Sequence, residues 1–342
     1  MNIRTMTLFK RFMSALLCVA MVLPMLVVSA SAERIPTSDE PLAVIFAASD
    51  FQVKKSDGTD DYETASKVMN KIINTVKANH SRMDGAFFLG DYSVNYNNPY
   101  TNAGRTAVKN VIVGAWGNLQ GGSKIIYVQG NHDDSSYSGR ETNKTQDLGQ
   151  YTVFVMDEDM FPWMQGKAAN AEANKKTVEN TAEQLRTFLQ GRLDANDDRP
   201  VFITSHIPLH YSRRSNSAGA YDNIYAKKIF DVLNEYGKKL DIIFLFGHNH
   251  SNNYDDYIGG AAIYLPVGET INIPVEKVDG GYTSPTLNFT YMNGGYIGYY
   301  NGKCETQQSS SVFEIYEDRI EIARYDANGE ANLKDKGESV FG

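Results

Sequence analysis

Five short apolar runs constrain this chain most. Leu42-Ala43-Val44-Ile45-Phe46-Ala47-Ala48 and Gly85-Ala86-Phe87-Phe88-Leu89 are two; residues 124–129, 200–204 and 240–246 supply the others. Nearly continuous apolar runs of this length, without polar alternation, predict strands covered on both faces. Between them lie segments of helical period. Asp60 and Glu63 suit a capping box, followed by Ala65, Val68, Met69, Ile72, Ile73 and Val76 at helical spacing. A second helix is predicted over residues 105–119. A third is predicted to be capped by Thr181 and Gln184, with Leu185, Phe188, Leu189 and Leu193 on one stripe, and a fourth over 224–236. Strand, helix, strand, helix, strand implies a parallel sheet with helical crossovers. From residue 134 to 173 the regularity lapses, and a loop-rich excursion or a short hairpin is expected around 157–163. Beyond about residue 260 the chain reads as strand-rich, with alternating runs at 312–316 and 319–324.

What closes those runs is unusual. They stop on Asp50 and Gln52, on Asp91, on Asn131-His132-Asp133, on His206, and on His248 with His250. In open α/β sheets ligands gather outside the carboxyl ends of strands, so these residues are expected to converge from distant parts of the sequence. The chain has six histidines, and four of them (His132, His206, His248, His250) sit at strand ends. Carboxylates, imidazoles and amide oxygens without thiolate suit two divalent ions, with Mn, Fe or Zn fitting the donors. Read singly, Asp50 is an ordinary helix cap and His206 an ordinary loop residue; the series carries the argument.

Charge and cysteine usage narrow the classes. The 342 residues carry a net charge of -8 with pI near 5.3 and no run of Lys or Arg, which disfavours a nucleic-acid partner. Glycine-rich turns form neither a phosphate-binding loop nor a dinucleotide fingerprint. Arg4, Lys10 and Arg11 precede an apolar stretch over 12–28 and an Ala30-Ser31-Ala32 site. Residues 1–32 therefore read as a secretory signal peptide, leaving one extracytoplasmic domain over 33–342 with no membrane span. Cys304 is then the single cysteine, so an intramolecular disulfide and a thiolate zinc cluster are both ruled out.

The ordered series Asp50-x-Gln52, Gly90-Asp91, Gly130-Asn131-His132-Asp133, His206 and Gly247-His248-Asn249-His250 resembles the calcineurin-like metallophosphoesterase family, over about residues 42–250. The family pattern is D-x-H, G-D, G-N-H-D/E, H, G-H-x-H, so Gln52 is the one departure. The resemblance implies two packed mixed β-sheets flanked by helices, a four-layer α/β/β/α sandwich, with the strand-rich remainder in its second sheet. It implies two divalent ions, one on Asp50, Gln52 and His250, the other on Asn131, His206 and His248, with Asp91 bridging. A hydroxide shared by the ions would attack phosphorus. His132, with Asp133 behind it, would protonate the leaving group. His210 and Arg213 are candidate substrate contacts. The implied activity is hydrolysis of a small phosphomonoester or phosphodiester. The rival reading is a non-catalytic binding or surface protein that keeps the fold with a weakened first metal; His132 and Asp133, useful in catalysis and dispensable for folding, count against it.

Overall fold

In the computed structural model, residues 40–94, 101–133, 143–156, 171–210, 225–248, 264–274, 282–298 and 308–331 are described. The first apolar run forms β1 (Ala43–Ala48) and leads to α1 (Tyr62–Asn79) and β2 (Gly85–Phe88). There follow α2 (Thr101–Ala115), β3 (Ile125–Tyr127), and a hairpin of β4 (Lys144–Asp147) and β5 (Thr152–Val155). Next come α3 (Ala171–Asp194), β6 (Val201–Thr204), α4 (Ala226–Tyr236) and β7 (Ile242–Phe246). The remaining strands are β8 (Tyr264–Leu265), β9 (Ile273–Pro274), β10 (Tyr282–Thr283), β11 (Thr290–Asn293), β12 (Gly295–Tyr296), β13 (Ser309–Ile315), β14 (Ile320–Asp326) and β15 (Gly329–Ala331).

Apart from β9 and β10, which pair only with each other, these strands divide between two sheets. One runs β15-β14-β13-β1-β2-β3, with β12 on β13; the other runs β4-β5-β6-β7-β11-β8. Pairing is parallel from β1 to β3 and from β5 through β7 to β11, and antiparallel at the flanks. Both sheets are thus mixed. The unbroken apolar runs are explained by coverage on both faces. In β1, Val44, Phe46 and Ala48 pack with α1 and α2, through Val68, Ile72, Val108 and Ile112. Ala43, Ile45 and Ala47 face the opposite way, into a core shared with Val153, Phe202, Ile243 and Leu245 of the other sheet. Phe202 meets Phe87 at 5.2 Å and Phe313 edge-on at 5.4 Å between ring centres, which fixes sheet against sheet. The second sheet's outer face carries Ile203 and Phe244 against Leu185 and Leu189 of α3 and Phe230 and Leu233 of α4. The order is helix, sheet, sheet, helix.

Four expectations are corrected. The first helix is capped by Asp61, whose Oδ1 accepts the Thr64 N–H at 3.0 Å; a cap of this kind contributes about 1 kcal/mol. Asp60 is used elsewhere, as shown below. The third helix begins ten residues before Thr181, which is buried in its interior and accepts a hydrogen bond from Asn143. Within the stretch read as irregular, β5 is a buried strand parallel to β6. Finally, β13 and β14 do not build the second sheet; β13 pairs with β1, Ile45 opposite Phe313, and completes the first.

Candidate metal centre

The carboxyl ends of β1, β2 and β3 meet those of β6 and β7 where the two sheets adjoin. At this edge the backbone is forced. Asp50, Asp91 and His248 all adopt positive φ, at 55°, 59° and 65°, a region costly for residues with a side chain and typical of functional strand ends. Glycine supplies the clearance. A Cβ on Gly130 would lie 2.2 Å from both the backbone nitrogen and Oδ1 of Asp91. Gly90, at φ 94°, sits under His206, with Nδ1 2.7 Å from where its Cβ would be.

Four side chains aim at one point. The Nδ1–H of His206 donates to the Leu89 carbonyl at 2.6 Å, so the neutral ring carries its proton there and presents a lone pair at Nε2. That Nε2 stands 3.0 Å from Asn131 Oδ1 and 3.3 Å from Asp91 Oδ2. Nδ1 of His248 approaches the same Asn131 oxygen at 2.8 Å. The ligand atoms of Asp91, His206 and His248 lie within 4.8 Å of one another, all buried. His206 Nε2 turns its lone pair on the Asn131 and Asp91 oxygens, and such atoms in a dry pocket repel unless a cation lies between them. Ligands held about 2.0–2.2 Å from one ion are roughly 3–3.5 Å apart. The residues therefore fit a divalent metal. Burial works against the charged form of Asp91; protonated His206 and His132 rings would hold its carboxyl well below the usual range, and beside neutral rings a bound cation would do the same.

Around this cage residues 91–94, after β2, are each tied down. The Asp133 carboxylate accepts the backbone N–H of Asp91 (2.9 Å), Tyr92 (2.8 Å) and Gly130 (2.7 Å). Burial, then the Asp91 charge, pushes its pKa upward, against the pull of those three donors. Asp60 accepts the Val94 N–H at 2.6 Å and the Ser93 hydroxyl at 3.0 Å. The two carbonyls so placed orient two site residues: Ser93 accepts from Gln52 Nε2 at 3.0 Å, and Val94 accepts from His132 Nδ1 at 2.6 Å. His132 also donates its backbone N–H to Asp91 Oδ1 at 2.9 Å. Across the sheets, Asp50 Oδ2 accepts the His248 N–H at 3.0 Å.

The structure brings together Asp50, Gln52, Asp91, Asn131, His132, Asp133, His206 and His248. His250 and Arg213 lie outside the described residues. Three assignments change. Asp133 does not stand behind the His132 ring; the Val94 carbonyl does, and Asp133 clamps backbone. Gln52 turns its nitrogen, not its oxygen, to the centre, donating to Asp91 Oδ2 at 2.8 Å. His210 is not displayed to a substrate. It is 3% exposed, its Nδ1 is 2.7 Å from the Tyr291 hydroxyl, and its ring packs edge-on against Phe246. Asp60 and the Ser93 and Val94 carbonyls were missed. Main-chain acceptors leave no mark in a sequence; the doubled Asp60-Asp61, one more carboxylate than a cap needs, was the available signal.

A model of the calcineurin-like phosphoesterase family matches residues 43–252, well over half the chain. The chain belongs to that family. The matched span takes in every strand end that builds the cage. No curated protein matches the chain. Among solved structures, a purple acid phosphatase from yellow lupin (Lupinus luteus) seeds is 11% identical, covering 87% of this chain and 52% of its own, with a TM-score of 0.43. A predicted phosphoesterase of Streptococcus pneumoniae is 11% identical, covering 85% and 94%, with a TM-score of 0.33. A 5′-nucleotidase precursor of Thermus thermophilus is 10% identical, covering 84% and 52%, with a TM-score of 0.34. This calcineurin-like chain spans about half the length of the lupin and Thermus proteins.

Proposed function

We propose that the protein is an exported, metal-dependent phosphohydrolase acting on small phosphomonoesters or phosphodiesters, as one domain over residues 33–342 once the leader is removed. The observation that carries the reading is the convergence of Asn131 Oδ1, His206 Nε2, His248 Nδ1 and Asp91 Oδ2 beside His132. A divalent ion in that cage supplies positive charge for phosphoryl oxygens and acidifies water. The protein's own residues do the rest. Asp91, Asn131, His206 and His248 hold the ion, and the Leu89 carbonyl keeps the His206 lone pair turned inward. The His132 proton at Nδ1 is committed to Val94, so any proton given to a departing alkoxide passes through Nε2. Low overall positive charge supports a small substrate over a nucleic acid. The signal-like leader supports export, and no described helix is long and apolar enough to cross a membrane.

The test is a panel of phosphomonoesters and diesters, including an aryl phosphate, assayed on chelator-treated protein and again with Mn²⁺, Zn²⁺ or Fe²⁺. Turnover that vanishes on chelation and returns with one of these ions is expected. Metal-loaded protein inert toward every ester would favour the binding-protein reading.

A further inference from the structure

Gln52 occupies the position where the family pattern has histidine, and its neighbours decide which way its amide points. Nε2 lies 3.0 Å from the Ser93 carbonyl oxygen and 2.8 Å from Asp91 Oδ2. A main-chain carbonyl can only accept, so the group between these two oxygens is the NH₂. Reversing the amide would press Oε1 against both oxygens in a site where Gln52 is 2% exposed. Both amide hydrogens are therefore engaged, and Oε1 is directed away from Asp91.

Asp91 Oδ2 is the oxygen that also faces His206 Nε2, at 3.3 Å. One flank of that oxygen belongs to the metal cage. The other receives an N–H from Gln52, and the remaining oxygen, Oδ1, receives the His132 N–H. A bridging carboxylate needs a lone pair for each ion. Here the flank on the Gln52 side presents amide hydrogens, whose partial positive charge repels a cation. An ion placed there would have to break two buried hydrogen bonds, each costly to leave unmade. On that side Asp50 has one of its two oxygens, Oδ2, engaged by the His248 N–H.

We propose that the centre holds a single divalent ion, in the cage of Asp91, Asn131, His206 and His248, and that Gln52 closes the second position by hydrogen-bonding Asp91. Gln52 is thus a positioning residue and not a ligand, and it fixes the metal count. The inference rests on the metal-dependent reading above, but the two fail separately.

The experiment counts ions. Protein stripped with chelator is reloaded with Mn²⁺, desalted, and analysed for metal per chain; its electron paramagnetic resonance spectrum separates an isolated Mn²⁺ from an exchange-coupled pair. Wild type should retain about one ion with an isolated-ion spectrum. Gln52→His, which replaces two N–H donors by an imidazole lone pair, should retain about two and show coupling. Gln52→Glu, closer in shape, should do the same, and serves if the histidine variant misfolds. Two tightly held ions or a coupled spectrum in wild type overturns the proposal while leaving phosphoester hydrolysis standing. Wild type and both variants all at one ion would remove Gln52 as the cause. A chain that retains no ion defeats the functional reading itself.

Discussion

Asp133 closes onto the backbone of Asp91, its Oδ2 accepting the Asp91 N–H at 2.9 Å while its Oδ1 takes the next N–H along, that of Tyr92. With Gly130 as the third donor, one carboxylate holds two strand-end turns together. Removing it strands three buried donors. Asp133→Ala should therefore destabilise the fold by on the order of 3 kcal/mol or more, and Asp133→Asn, which keeps one carbonyl acceptor, by less. Urea unfolding midpoints measure both; an alanine variant that unfolds at the wild-type midpoint would show that the clamp contributes nothing.

The fixed Nδ1 of His132 gives a leaving-group test. His132→Ala should slow hydrolysis of alkyl phosphates by about 10²–10⁴-fold, the usual range for general acid catalysis. Nitrophenyl esters, whose anion departs without a proton, should lose little. Equal losses for the two classes would assign His132 to binding or structure instead.

Metal should also be visible in stability. An ion bound only by the folded chain, present at a hundred times its dissociation constant, stabilises by about 2.7 kcal/mol. Thermal melts should rise with Mn²⁺ or Zn²⁺ and fall with chelator in wild type. In Asn131→Ala, whose oxygen lies 3.0 Å from His206 and 2.8 Å from His248, the two melts should nearly coincide. A metal-dependent shift of wild-type size in that variant would move the ion out of this cage.

His210 sets an acid limit. Burial lowers its pKa from 6.5 to about 3, so the folded ring stays neutral where the unfolded one gains a proton. The unfolded state then binds more protons between these values, and stability is lost as pH falls from about 6.5 toward 3. The loss approaches about 1.4 kcal/mol per pH unit from this group. His210→Gln keeps an acceptor for Tyr291 and does not titrate, so its urea midpoint should decline less than wild type between pH 7.5 and pH 5. Parallel declines would mean His210 is already protonated in the fold.

Much of the centre could be read from the chain because strand ends are marked twice, by the apolar run that precedes them and the polar residue that follows. Asp91, Asn131 and His206 are legible in that way. Orientation was not. Nothing in the sequence says that the amide of Gln52 meets a carbonyl at Ser93, or that the Val94 carbonyl, not Asp133, lies behind His132, since both partners are main-chain atoms. Pairing between distant segments was equally hidden. Residues 312–316 read as a strand, but whether that strand joins β1 or β11 depends on contacts no local pattern encodes. β4, with the sequence Lys144-Thr145-Gln146-Asp147, lies at a sheet edge with alternate residues exposed, and edge strands need no apolar run to announce them.

The pairing of β1 with β13 also sets a timetable. The strand that carries Asp50 at its end is β1, the first strand described, yet one of its two edges waits for residues 309–315. A growing chain can assemble α1, β2 and β3 beside β1 early, but it keeps an open edge able to pair with other chains until that late segment arrives. Closing so long a loop is slow. That edge of β1 is closed only once β13 has been made.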